Sequence, residues 1–217
     1  MVITINDIDS GNRRKQRSLE ILKKECVPYL EFFPPYNEGK YRSKKEICIR
    51  AICLMLVAVR AEGLEKEMVL KIVQEFGVTK DFSPEEREFL SKDNFDFKDK
   101  VKFLWRYESL VVLLWVLGYI TELERPENIC NVESVVSFIY DRGRKRFIDE
   151  SKLKPFNQVL DEADLIFRYH WAVRNEKLKG NPSPANLDAS IIYERRYSLE
   201  WILNKNNENW DEINTHT

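Results

Sequence analysis

The sequence predicts an all-α protein, a single multi-helix domain packed around a buried central helix at about residues 100–119. Three observations carry this expectation. The segment Lys100–Tyr119 reads KVKFLWRYESLVVLLWVLGY, and from Ser109 to Thr121 the chain has no charge. A helix that is apolar all round must be wrapped by other elements or by lipid. Two helix starts are spelled out locally, Ser43-Lys-Lys-Glu46 as a capping box and Ser83-Pro84-Glu85-Glu86 with its proline in the first turn. The 217 residues include only 7 Gly and 8 Pro, too few for a turn-rich all-β fold. A membrane span needs about 20 apolar residues. This run is shorter and has Arg106 and Glu108 one turn before it, so it reads as core rather than as a span.

Taken in order, Ile3 and Ile5 alternate with polar residues but have no partner strand, and residues 1–12 read as a loose arm ahead of one helical domain at 13–217. Arg13 to Cys26 is helical, with Leu19, Leu22 and Cys26 at helical spacing. Pro28, Pro34 and Pro35 enforce an extended, aromatic connector, YLEFFPPY, expected to pack across the surface. The helix opened by Ser43 is strongly apolar and ends near Gly63; Arg50 interrupts it and needs a partner or a route to solvent. A second, amphipathic helix covers Lys66 to Phe76 and stops at Gly77. The helix after Ser83 is short. The charged link SKDNFDFKDK follows, and its Phe95 and Phe97 suggest that it is packed down. After the central helix, Asn131 can cap a helix carrying Val132, Val135, Val136 and Ile139. The basic run Arg142-Gly-Arg-Lys-Arg146 reads as a solvated helix end, with a phosphate grip as the sharper alternative. Pro155 opens a long helix to about Lys179, and Asp188 caps the last one, through Trp201 and Leu203.

Lys+Arg 35 against Asp+Glu 36 gives a formal net charge of -1, which argues against a nucleic-acid binder working through bulk charge. Cys26, Cys48, Cys53 and Cys130 form no Cys-x-x-Cys pair and read as reduced, buried thiols. MVITINDIDSGNRRK has no apolar core long enough for a signal peptide, so a cytoplasmic location is the default. His170 and His216 are the only histidines, and there is no His-Glu-x-x-His, phosphate-cradling glycine loop or Gly-x-Ser-x-Gly elbow. Neither a metal nor a cofactor is expected.

The informative residues are polar groups set in apolar helices. Trp105, Glu108, Val112, Trp115 and Tyr119 share one face of the central helix. Glu108 is therefore expected to be buried and held by an arginine, from among Arg168, Arg174, Arg195 and Arg196. Arg106 lies about 100° round the helix from Trp105, near Ser109 and Leu113, and needs its own partner. Asp164 and Arg168 form an i,i+4 pair, and Phe167, His170, Trp171 and Arg174 make a stripe on the long helix. The last helix adds Tyr193, Glu194, Arg195, Arg196 and Tyr197. Antiparallel packing of these helices brings Glu108, His170, Arg174, Glu194 and Arg195 or Arg196 near one another. Such a cluster reads first as a buried ion-pair network fixing helix register. It reads next as an arginine-lined pocket for an anionic ligand, and then as an acid–base centre using His170 with Glu108 or Glu194.

At these residues the sequence resembles the bacterial family known as domain of unknown function 4272. The resemblance rests on Arg17-Ser-Leu-Glu-Ile-Leu, the capped Arg42–Glu46 start, Trp105-Arg-Tyr-Glu108 and Leu-Trp-x-Leu-Gly-Tyr at 114–119. It continues through Asp161 to Ala172, Tyr193-Glu-Arg-Arg-Tyr197 with Trp201, and Trp210-Asp-x-x-x-Thr-x-Thr217. The resemblance implies one mainly helical domain and supplies no catalytic residue. Two functions follow as expectations. The first is a cytoplasmic interaction or ligand-binding protein, in one form an immunity-type or regulatory partner of another protein. The alternative is an enzyme acting on an anionic small molecule, with His170 or Glu108 as base and arginines as clamp.

Overall fold

A computed structural model describes residues 5–37, 39–204 and 207–215. Ile3 and His216 lie outside them. The helices are α1 (Ile5–Lys24), α2 (Lys44–Glu62), α3 (Lys66–Phe76), α4 (Pro84–Ser91) and α5 (Phe97–Leu104). They continue as α6 (Arg106–Val116), α7 (Val132–Tyr140), α8 (Gly143–Glu150), α9 (Phe156–Leu178) and α10 (Ala189–Leu203). No strand occurs among the described residues, so the fold is all-α.

Local chemistry explains most of the boundaries. Ser43 and Ser83 each accept from the backbone N–H three residues on, while Glu46 and Glu86 reach back, completing both capping boxes. Asn131 and Asp188 cap α7 and α10 through their side-chain oxygens. Gly77 ends α3 in the left-handed conformation. Cys26 takes the same region at φ 57, just past α1, and its thiol is exposed rather than buried. The buried-thiol expectation holds for Cys48 and Cys53; Cys130 is half-buried.

α6 is buried along its whole length, from Arg106 to Val116. α2 lies alongside it, antiparallel. Glu62, at the end of α2, accepts from Tyr107 at the start of α6, at 2.7 Å. At the other end, Cys48 meets Ser151 and the next residue, Lys152, donates to Leu117. α10 packs on α6, α9 packs on α10, and α1 packs on α9. The aromatic connector does lie on this surface: Phe33 meets Phe167 and Trp171 edge-on, at 5.4 and 5.7 Å.

Three expectations are corrected. The helix at 100–119 is two helices, broken at Trp105, and Tyr119 lies beyond the second. The break lets the amphipathic α5 turn into α6, which is apolar nearly all round, so Trp105 and Tyr119 do not share one helical face with Glu108. The first helix starts at Ile5, not Arg13, so the backbone of 5–12 is helical rather than a loose arm. In the charged link, Phe95 packs on Phe89 with centroids 4.9 Å apart, whereas Phe97 begins α5 on its outer side and is 80% exposed.

Gly118 positions the end of α6. Its φ is +81°, and a Cβ there would sit 2.7 Å from the Lys152 carbonyl oxygen. That approach lets Lys152 and Lys154 donate to Leu117 and Val116, at 2.8 and 2.9 Å, and cover the last turn. Gly118→Ala is expected to cost about 1–3 kcal/mol from its backbone conformation alone, and more through the clash. Urea melts read this as a lower midpoint with an unchanged slope. A wild-type midpoint would refute the close approach.

Candidate functional site

Glu194, Arg195 and Arg196 follow one another on α10. Successive helical residues point about 100° apart, yet all three are buried, because α10 is enclosed on all these sides. Each finds a different partner, and the cluster expected from sequence resolves into separate groups.

Glu194 faces α6. It pairs with Arg106 at 3.0 Å and accepts from the Ser109 hydroxyl at 2.5 Å. The Arg106 guanidinium also lies over the Tyr197 and Trp210 rings, 5.1 and 5.5 Å from their centroids. Burial pushes the Glu194 pKa up, and Arg106 and Ser109 oppose that push.

Arg195 faces Glu108, which is buried as expected. Among the described residues no arginine forms an ion pair with Glu108, and this corrects the sequence reading. Its Oε1 instead accepts from the Cys130 backbone N–H at 2.6 Å. Arg195 donates to the Glu124 carbonyl at 2.5 Å and acts on Glu108 and Glu162 through space. The loop 120–131 therefore supplies the hydrogen bond to Glu108 that arginines of α9 or α10 were expected to supply. Burial, and the Glu108 carboxylate second, push the Cys130 thiol up to about 12, so it is no ready nucleophile. Burial likewise lifts the half-buried Glu162 carboxyl to about 7, against the pull of Arg195.

Arg196 faces α9. It donates to His170 Nδ1 at 2.5 Å, lies near Glu200 at 3.6 Å, and covers the Phe167 ring at 5.1 Å. Since Nδ1 accepts, the ring is neutral with its proton on Nε2. Burial first, then the charges of Arg196 and Arg174, lower His170 to about 4. Arg174 itself is exposed. Arg168 belongs to another group. It is fully buried and holds Asp164 through two bonds, at 2.8 and 3.1 Å. Asp164 also accepts from the Tyr36 N–H at 2.9 Å, so the connector seals a pair that by spacing resembles a surface one. Trp105 is half-buried and touches none of these groups through any described polar or ring contact.

Two features were not read from the sequence. The first is the surrounding of Arg50, which pairs with Glu86, the capping-box glutamate of α4, and lies under Trp210 at 5.2 Å. The 3-10 turn Trp210–Glu212 thus lays an indole over two buried arginines. Asp211 holds it in place by accepting from the Glu85 N–H at 3.0 Å. Trp210 is separated from these two arginines by over a hundred residues of chain, and it is held from nearby by the Tyr197 and Trp201 rings, with centroids at 5.1 and 5.4 Å.

The second is a groove between α2 and α7. Val59, Val132 and Val136 are its half-buried apolar lining, with Tyr140 exposed at the α7 end. Glu62, Glu133 and Asp141 complete its lining together with Ser137, and no lysine or arginine takes part. The signal was available: Val132, Val135, Val136, Ile139 and Tyr140 fall at i, i+3, i+4, i+7 and i+8, one apolar stripe whose outer edge lines the groove. By contrast the basic run at 142–146 is largely tied down. Arg142 and Arg146 pair with Glu150, and Arg144 donates to the carbonyls of Phe76 and Gly77.

Taken together, this is a helical domain whose interior charges meet backbone groups, aromatic faces or other charges rather than open solvent. The chain belongs to the family described as Domain of unknown function (DUF4272), whose model matches residues 14–213. No curated protein and no solved structure matches it. Among the described residues no group of three or more His, Cys, Asp or Glu could hold a metal ion, and no helix is long and apolar enough to cross a membrane.

The Glu108 contacts set a stability test. Glu108→Ala strands a buried N–H and removes the carboxylate facing Arg195, and is expected to cost about 2–4 kcal/mol. Glu108→Gln keeps the accepting oxygen and costs less. Denaturant melts separate the two; if both variants match wild type, Glu108 has no structural role.

His170 and Glu162 set a pH test with opposite signs. Native His170 stays neutral down to about 4, whereas its ordinary value is 6.5, so its contribution is lost as pH falls through that window. Native Glu162 keeps its proton up to about 7 against an ordinary 4.5, so its contribution is lost as pH rises through that window. Relative to wild type, His170→Asn gains stability as pH falls from 6.5 towards 4, and Glu162→Gln gains it as pH rises from 4.5 towards 7. Flat difference curves from melts across this range would contradict both assignments.

Proposed function

We propose that this protein is a cytoplasmic interaction protein that binds another protein and performs no chemistry of its own. The observation that carries this reading is the α2–α7 groove, where the outer edge of the α7 apolar stripe is only half-covered beside a rim of acids. Val135 and Ile139 are buried against the domain, while Val132, Val136 and Tyr140 extend the apolar stripe outwards. Apolar side chains left half-covered between two helices can receive the apolar side chains of a partner. A near-neutral charge favours a protein over a nucleic acid as that cover.

The enzyme reading loses support from the same geometry. Acid–base catalysis needs side chains converging on a cleft that substrate can enter. Arg106, Glu108, His170, Glu194, Arg195 and Arg196 are buried, and none of them lines the α2–α7 groove. His170, lowered to about 4, is a weak base for work near neutrality.

A photo-crosslinking residue at Ser137 in host cells tests the binding reading. It should give a discrete adduct with another protein, absent when Val136→Lys is added and absent from a probe at Glu20 on α1. No adduct from Ser137 would sink it. A metabolite that raises the melting temperature, with the rise lost in Arg195→Gln, would favour the anionic-ligand alternative.

A further inference from the structure

We infer that the α2–α7 groove takes a basic amphipathic helix of the partner protein. This inference rests on the binding reading above and adds the chemistry of the occupant. Val132, Val136 and Tyr140 lie at i, i+4 and i+8, so they form one ridge along the nine residues of α7, a length of about 13 Å. The ridge is the outer edge of the stripe whose inner edge is the buried Val135 and Ile139, about 80° round the helix on average. Val59 of α2 closes the other side. A floor of this shape takes the apolar side chains that a helix presents at i, i+3 or i+4, and i+7.

Charge selects the partner. Glu62, Glu133 and Asp141 are all exposed in the lining, with no positive side chain among them. The C-terminal ends of α2 and α7 both lie here, at Glu62 and Tyr140, and their carbonyls add partial negative charge. Tyr107 donates to Glu62 at 2.7 Å and so fixes that carboxylate before any partner arrives. Arg142, the nearest cation along the chain, turns to Glu150 and to the Phe138 carbonyl. Lysines and arginines flanking an apolar stripe match this rim, whereas a phosphate backbone or an acidic helix is repelled by it.

Fluorescence anisotropy with a labelled leucine–lysine amphipathic peptide, and with its leucine–glutamate counterpart, tests this. The lysine peptide should bind the full chain, more weakly as salt is raised. Glu133→Lys with Asp141→Lys, and separately Val136→Asp, should each weaken it about tenfold or more. Glu20→Lys, a single charge reversal outside the groove, should leave it within about twofold. Circular dichroism confirms that these surface variants fold. Equal binding of the glutamate peptide, or binding indifferent to the groove substitutions, overturns the inference. If the Ser137 probe finds a partner but the lysine peptide does not bind, only the basic-helix assignment falls. If both fail, the binding reading falls with it. An adduct between two copies of this chain, undisplaced by the peptide, also overturns the assignment.

Discussion

The Arg106–Glu194 pair joins the most enclosed helix to the last one, and the centre of the fold depends on it. Two charges 3.0 Å apart and both nearly inaccessible have lost their hydration. Their attraction offsets that loss only when the remaining hydrogen-bonding capacity is used. Ser109 uses part of it on Glu194, and two aromatic faces stand in for water around Arg106. The pair therefore adds little net stability over a matched apolar pair. Its effect is specificity: a helix as apolar as α6 could rotate or slide at small cost, and one fixed charge pair removes that freedom.

The same logic separates inside from outside. Interior ionisable groups here meet partners from other elements: Arg50 with Glu86, Arg14 with Asp161, Arg196 with His170. Each ties two separate segments together with its arginine buried inside the bundle. The acids of the α2–α7 groove have no such closure, apart from the tether on Glu62. Charges that hold the fold and charges that can meet a partner thus occupy different places, and a list of polar residues on apolar helices selects the first kind.

This explains what was legible in the sequence. Helix starts at Ser43, Ser83, Asn131 and Asp188 were legible because a cap is a local transaction between a side chain and the next turn. Burial of Glu108 was legible because it opens a run that is apolar all round, whereas Glu194 and Arg196 sit among polar neighbours on α10 and entered only as members of an expected cluster. Their pairing was not, because three successive residues of α10 look in three directions, and only the tertiary arrangement says what lies there. Cys130 as the partner of Glu108 comes from an irregular loop with no periodicity to read. Asp164 and Arg168 show the limit most clearly: their spacing is that of a solvated pair, and only the connector at Pro34–Tyr36 takes them out of water. The break at Trp105 had no glycine or proline to announce it.

The indole of Trp210 has a consequence for local opening. It covers Arg50 and Arg106, yet it is carried by a 3-10 turn outside the helices. Lifting that one turn would leave every helix in place and open two guanidinium groups and their carboxylates to water. A dry interior and a hydrated ionic surface are thus separated here by the docking of a single side chain.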